Sequence, residues 1–204
     1  MVRETAYDEV FDSQKHYRCI LDSMARPGKI NRLEPVELAP PPGLNRASSL
    51  AAFALLDGDT TFETVQMEHG EASYLAANTR AVRTGVDDAA FIFADGNQSP
   101  DMLEAANCGT LTYPDTAATL VLQISTASQQ PLTGGLGLSL EGPGIEGTGS
   151  LFVRGLNPDL LLALQARNAE FPLGLDTILT FEDEAAIPYV VGLPRTARVS
   201  WESC

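Results

Sequence analysis

The sequence predicts an α/β protein with a mixed sheet covered on both faces. Three compact apolar runs carry the sheet: residues 89–94 (AAFIFA), 118–124 (ATLVLQI) and 175–181 (LDTILTF). Runs of this length, bounded by turn residues, fit strands buried within a sheet. Helix-opening signals stand before and between them, so strands and helices interleave along the chain. No internal repeat and no low-complexity tract interrupts that order.

The elements follow from period and punctuation. Asp12 is set to cap a first helix, whose Tyr17, Ile20, Leu21 and Met24 fall at i, i+3, i+4 and i+7 as an apolar stripe. On that helix His16 belongs to the polar side. Arg26-Pro27-Gly28 stops it, because proline disfavours helical geometry in the residue before it and glycine permits a reversal. A second helix covers residues 47–56 and ends at Asp57-Gly58-Asp59. Residues 61–66 read as a strand, residues 72–80 as a short helix, and Glu68-His69-Gly70 between them as a turn. Ser99-Pro100-Asp101 opens a helix with a cap, a proline at the first position and an acid in the first turn. Leu136, Leu138 and Leu140 alternate as in a half-buried strand. Asn157-Pro158-Asp159 repeats the opening signal for a helix reaching Arg167. From there Phe171-Pro172-Leu173-Gly174 leads as an elbow into the strand at residues 175–181. A last extended segment, residues 189–201, is broken at Gly192 and Pro194.

Composition restricts the function classes. The 204-residue chain carries 27 acidic against 13 basic residues, a formal charge of −14, and is 44% apolar. That apolar share supports a sizeable core, and the absence of a linker-like tract points to one domain over residues 1–204. A surface so acidic repels phosphate backbones and anionic lipid, which argues against nucleic-acid and membrane-surface roles. The N-terminal stretch has no apolar region of a signal peptide, and no run is long enough to span a membrane. Cys19, Cys108 and Cys204 are odd in number, far apart and without CxxC spacing, so neither a disulfide framework nor a zinc or iron–sulfur site is expected. A cytoplasmic protein is the expectation.

Catalytic constellations are scarce. Residues 134–149 (GGLGLSLEGPGIEGTG) tempt a phosphate-loop reading, but the GK[ST] ending is missing and the stretch feeds an alternating strand. A turn-rich connection is the better account. His16 and His69 lack a neighbouring nucleophile or metal-pair spacing, and no GxSxG elbow occurs. The acidic groups Asp57/Asp59, Asp87/Asp88 and Glu182/Asp183/Glu184 sit at predicted turns, where solvated carboxylates are usual. Among the basic residues only Lys15 and Lys29 are lysine, and Arg154, Arg167, Arg195 and Arg198 gather near the C-terminal elements. Guanidinium groups suit carboxylates, phosphates and interfaces, and in an acidic protein intramolecular pairing is their commoner use. Asp176 is a carboxylate among apolar neighbours on a strand, so its burial requires a partner; Arg195 or Arg198 is within reach. Phe171 and Leu173 are expected to fall into the core or a partner groove.

Met24-Ala25-Arg26-Pro27-Gly28, Leu140-Glu141-Gly142-Pro143-Gly144-Ile145, Phe171-Pro172-Leu173-Gly174-Leu175-Asp176 and Leu193-Pro194-Arg195-Thr196 together resemble the PhnH family of phosphonate-metabolism proteins, subunits of the carbon–phosphorus lyase core complex. The resemblance runs from about residue 11 to 199. Ala197 stands where family members often carry threonine. The resemblance implies partner subunits PhnG, PhnI and PhnJ and, functionally, PhnL. It implies a part in making α-D-ribose 1-alkylphosphonate 5-triphosphate from ATP and an alkylphosphonate, with adenine displaced and no established catalytic residue of its own. It also implies a three-layer α/β/α fold like the large domain of pyridoxal-phosphate-dependent transferases, and a homodimer when isolated. Pyridoxal phosphate needs a Schiff-base lysine on a late strand, and Lys15 and Lys29 are both early, so no cofactor and no metal are expected. Arg26, Pro27, Gly28, Phe171, Pro172, Leu173, Gly174, Asp176, Pro194, Arg195 and Thr196 are the motif and interface candidates, with no catalytic residue among them. Three readings stay open: a non-catalytic or co-catalytic subunit of the nucleotide-forming complex, a purely structural adaptor, or an independent nucleotide-using enzyme on a transferase-like fold.

Overall fold

The structure, a computed structural model, describes residues 3–67 and 70–204. The turn expected around His69 therefore lies outside the described residues. In chain order the elements are α1 Phe11–Ala25, β1 Asn31–Arg32, α2 Arg46–Leu55, β2 Thr61–Thr64, α3 Glu71–Thr79, β3 Val82–Arg83, β4 Phe91–Asp95 and α4 Met102–Ala105. After a 3-10 turn at Pro114–Thr116 follow β5 Thr119–Gln123, β6 Thr126–Ser128, β7 Leu136–Glu141 and β8 Gly149–Arg154. The chain closes with α5 Pro158–Arg167, β9 Asp176–Glu182, β10 Pro188–Leu193 and β11 Arg198–Ser203. No helix among the described residues is long and apolar enough to cross a membrane.

The strands form a seven-stranded mixed sheet in the order β1-β10-β9-β5-β4-β2-β3 and a four-stranded sheet in the order β11-β7-β8-β6. In the large sheet β3, β2, β4, β5 and β9 run parallel; β10 returns antiparallel to β9, and the edge strand β1 pairs antiparallel with β10. Because side chains alternate across a strand, this sheet feeds two cores. Phe62, Phe93, Val121, Ile178 and Val190 point to one face, where α1, α2 and α3 cover them. Ile92, Leu120, Leu122, Leu179 and Val191 point to the other, against Leu138, Leu140, Leu151 and Val153 of the small sheet and Leu160, Leu161 and Leu164 of α5.

The mixed α/β architecture matches the sequence expectation, and the second face differs from it. Within residues 134–149 the strand expected at Leu136, Leu138 and Leu140 is β7, followed by a turn-rich connection to the first residue of β8, and β11 pairs with β7 from Arg198↔Glu141 to Ser203↔Leu136. An antiparallel sheet thus takes most of the place expected for a helical layer. Glycine content obscured these strands, although Leu136, Leu138 and Leu140 bury their alternating side chains as read.

Helix α1 is turned relative to its expected stripe. His16 and Ile20 are buried with Ser23, whereas Tyr17 and Leu21 are 50% and 56% exposed. The reason is specific polar satisfaction: the His16 Nε2 donates to the Glu34 carbonyl (2.9 Å) and its Nδ1 meets the Tyr7 hydroxyl (3.3 Å). The cap comes from Asp8, whose carboxylate accepts the N–H groups of Val10 and Phe11 (2.9 and 2.8 Å); Asp12 lies inside the first turn and accepts the Asp8 N–H (3.0 Å). Helix α4 is only one turn long, because the chain after Ala106 turns outward and Asn107 ties the Gly109 N–H and the Thr116 carbonyl (2.9 Å each). Gly192 does not break the last segment. It sits inside β10, where an added Cβ would lie 2.7 Å from the Met24 nitrogen, so its absence lets α1 press on the strand. The break falls at Pro194, whose carbonyl accepts the Ala197 N–H (2.8 Å).

Candidate functional site

Helix α5, the elbow after it and the start of β9 build one corner. Asn157 caps the helix by accepting the Asp159 N–H (2.9 Å), with Pro158 at the first position where its missing N–H costs nothing. At the other end Asn168 accepts the Leu175 N–H (2.7 Å) and donates to the Leu175 carbonyl (3.2 Å), standing in for a neighbouring strand. Gly174, at φ +133°, donates to the Cys108 carbonyl (3.0 Å); a Cβ there would lie 3.0 Å from the Asn168 carboxamide carbon. Only glycine suits that turn. The bond between Phe171 and Pro172 is cis.

Asp176 opens β9 and meets Arg195 of the connection between β10 and β11. One carboxylate oxygen accepts the Arg195 backbone N–H (2.8 Å); the other accepts from Nε (3.2 Å) and Nη2 (2.7 Å). The Arg195 Nη1 donates to the Pro114 carbonyl (2.9 Å) and to the Pro172 carbonyl (3.4 Å). The two side chains are 13% and 25% exposed, so the pair is largely removed from water. Every guanidinium nitrogen is committed to the protein itself, which leaves Arg195 as a clamp between three loops rather than a receptor for a substrate anion. Arg198, the other partner considered for Asp176, is exposed and lies opposite Glu141 on β11.

The remaining motifs pack on the same region. Gly28, at φ +80°, donates to the Gly192 carbonyl (3.1 Å), and a side chain on it would strike Leu140. A Cβ on Gly144 would strike the Ala25 carbonyl and come within 3.1 Å of the Pro27 ring; one on Gly142 would lie 2.8 Å from the Thr196 carbonyl. Pro27 and Gly28 are buried, while Pro194 and Thr196 are half-buried beside them. Backbone thus packs on backbone where ARPG, EGPG and PRT meet, and Asp176–Arg195 adds FPLG to the group. Arg26 reaches outward to Asp22, which also accepts from Lys29 (2.7 Å) and Asn31 (3.0 Å). The Lys29 hydrogen bond is the largest cause holding the Asp22 carboxyl below its ordinary range; partial desolvation opposes it, and the Asn31 hydrogen bond and the Arg26 charge add to it.

Around the clamp large apolar side chains stand exposed beside the exposed acids Glu170 and Asp115. Phe171 is 69% exposed, so of the two places expected for its ring, the core or a partner groove, it does not take the core; Leu173 is half-buried. The neighbouring loop presents Leu111 (76% exposed) and Tyr113 (63%), and Arg195 ties that loop to the elbow through Pro114 and Pro172. A groove of about 310 Å³ between α5 and the start of β11 continues past Leu164, Leu193 and Val199. Sequence reading missed Asn168 and the Pro114 loop. An asparagine just past the helix end was the one available signal for the first; carbonyl acceptors such as Pro114 leave none.

Nothing at this corner has the composition of a catalytic centre. Among the described residues no three His, Cys, Asp or Glu side chains are placed to share a metal ion. Lys15 pairs with Glu34 (2.9 Å) and Lys29 with Asp22 (2.7 Å), both on or beside α1.

Residues 5–200 match the family described as "Bacterial phosphonate metabolism protein (PhnH)". The chain belongs to the PhnH family. It is 34% identical over 199 residues, 96% of this chain and 94% of the relative, to "Alpha-D-ribose 1-methylphosphonate 5-triphosphate synthase subunit PhnH" of Rhizobium meliloti (strain 1021). It is also 37% identical over 116 residues, 56% of this chain and 53% of the relative, to "Putative C-P lyase subunit protein HtxG" of Stutzerimonas stutzeri. The matched residues 5–200 include all four motifs.

Proposed function

We propose that the protein is a subunit of the carbon–phosphorus lyase core complex, a single PhnH-like domain that serves the synthesis of α-D-ribose 1-alkylphosphonate 5-triphosphate from ATP and an alkylphosphonate. It has no self-sufficient active site in this reading. The observation that carries the reading is the corner itself. Arg195 is wholly engaged by Asp176 and by loop carbonyls, while Phe171, Leu111 and Tyr113 stand exposed on the loops it fixes. A rigid clamp beneath exposed aromatic and aliphatic side chains is the anatomy of an interface rather than of a reaction centre. The names of the two relatives, a synthase subunit and a C-P lyase subunit, agree with it.

The partners in this reading are PhnG, PhnI and PhnJ, with PhnL acting alongside, and the isolated chain forms a homodimer in the cytoplasm. The fold is likened to the large domain of pyridoxal-phosphate-dependent transferases without the cofactor, since both lysines are surface residues paired near α1. A purely structural adaptor is the second reading, and the engagement of Arg195 by the protein itself favours it over direct participation by that residue.

Co-expression with PhnG, PhnI and PhnJ tests the assignment. A co-purifying assembly that forms the ribosyl triphosphate, with no adenine release from ATP by the isolated chain, is the expected result. Turnover by the isolated chain would replace the subunit reading with an independent enzyme.

A further inference from the structure

The carboxyl ends of the parallel strands hold a cavity that the corner does not explain. Strands β2 and β4 are neighbours, yet their outgoing connections diverge: α3 crosses the face shared with α1 and α2 and leads to β3, while α4 crosses the opposite face and leads to β5. Such divergence is a topological switch point, where open α/β sheets form a ligand crevice beyond the strand ends. A cavity of about 550 Å³ lies there, lined by Gln66 after β2, by Asp95, Asn97 and Gln98 at and after β4, and by Gln123 at the end of β5.

The chemistry of the wall selects the ligand. None of its described residues is lysine or arginine, and the fully buried Glu71 adds a carboxylate beside Gly43. The helix N-termini at this edge are already matched from within: Glu182 accepts the Arg46 N–H at α2 (2.5 Å), Asn45 accepts the Ser48 N–H (2.7 Å), and Glu71 begins α3. Among the described residues a phosphate would meet carboxylates with no cation to hold it. Gln123 is fixed by the Asn45 N–H (2.6 Å) and the Gly43 carbonyl (2.9 Å), so one carboxamide is pre-positioned. The side chains of Gln66, Asn97 and Gln98 make no hydrogen bond among the described residues, and Gln66 keeps a left-handed backbone at φ +54°. Carboxamides present a donor and an acceptor side by side, the complement of an amino group next to a ring nitrogen.

We propose that this switch-point cavity binds a nucleobase-like heterocycle, uncharged and bearing an amino group, through the Gln66, Asn97 and Gln98 carboxamides with Asp95 accepting from the amine. The site is separate from the Asp176–Arg195 corner and does not depend on that corner being an interface.

Calorimetric titration of the purified chain with adenine as the probe, and with tripolyphosphate as the anionic contrast, tests it. Saturable adenine binding with no tripolyphosphate binding is expected. The double variant Asn97→Ala/Gln98→Ala should weaken adenine binding at least tenfold with an unchanged melting temperature, because those side chains make no hydrogen bond among the described residues. Gln66→Asn, which suits the left-handed backbone but withdraws the amide by one carbon, should weaken it in the same direction. Phe171→Ala should leave adenine binding as it is. Absent adenine saturation, tighter binding of tripolyphosphate, or wild-type affinity in both cavity variants would overturn the assignment.

Discussion

Arg195 and Asp176 show what a single charged pair does when it joins two motifs. Removing the guanidinium leaves the Asp176 carboxylate, 25% exposed, with only the Arg195 backbone N–H, and takes a donor from each of the Pro114 and Pro172 carbonyls. Arg195→Ala should therefore cost about 3–5 kcal/mol in a urea melt, and Asp176→Asn about 1–3 kcal/mol. The double variant should lose less than the sum of the singles, by roughly 0.5–3 kcal/mol; strict additivity would mean that the pair is not coupled. His16 makes the complementary case. A carbonyl accepts at Nε2, so the proton sits there and Nδ1 accepts from Tyr7, fixing a neutral ring. Burial is the main cause that pushes the His16 pKa below its ordinary 6.5, opposed by the Glu34 carbonyl and by the charges of Asp12 and Glu34, with Lys15 adding to the depression. The native state thus binds its proton less readily than the unfolded chain. Stability from this group is complete above pH 6.5 and is lost as pH falls through the depressed native value. Wild-type unfolding free energy should decline from pH 7 to 5 more steeply than that of His16→Gln, and equal slopes would remove His16 as the cause. Asp176 was legible in sequence because a carboxylate among apolar residues demands a partner. His16 was not, since its main partner is a backbone carbonyl.

Elements differ in the same way. Strands β4, β5 and β9 are buried on both faces, so their apolar runs announced them. The small sheet shows only one face to the core, and the turn between β7 and β8 carries Gly142, Gly144 and Gly147 at positive φ, which reads as loop in a linear sequence. The wrong face was chosen for α1 because its exposed Tyr17 and Leu21 are as apolar as a core stripe. The glycines themselves are a further test of how turns are held. Gly134 and Gly144 have similar backbones, φ +72° and +82°, but a Cβ meets nothing within 4 Å at the first and the Ala25 carbonyl at the second. Gly134→Ala should cost about 1 kcal/mol from backbone strain alone. Gly144→Ala should cost roughly 1–3 kcal/mol more, because a backbone carbonyl of the helix end must move. Equal melting temperatures for the two variants would show that the EGPG turn does not lean on ARPG.

For the whole molecule the question is which surface meets other subunits. A net charge of −14 works against close self-association over most of the surface, so an apolar region with few acids is where contact costs least. Phe171, Leu111 and Tyr113 supply such apolar surface beside the exposed acids Glu170 and Asp115, and they rest on the clamp and the Asn168 bridge. A buried phenylalanine truncated to alanine costs about 3–5 kcal/mol, whereas an exposed one changes folding by no more than about 0.5 kcal/mol. At 69% exposure Phe171 belongs to the second class, so Phe171→Ala should melt like the wild type. In co-expression with PhnG, PhnI and PhnJ the same variant should reduce the recovered assembly, and Phe171→Asp should reduce it further. Leu162→Asp, 58% exposed on α5, is the matched control and should assemble normally. Full assembly of Phe171→Asp with nucleotide formation abolished would move the corner from an interface to a reaction site. Full assembly with full activity would place the contact surface elsewhere on the protein.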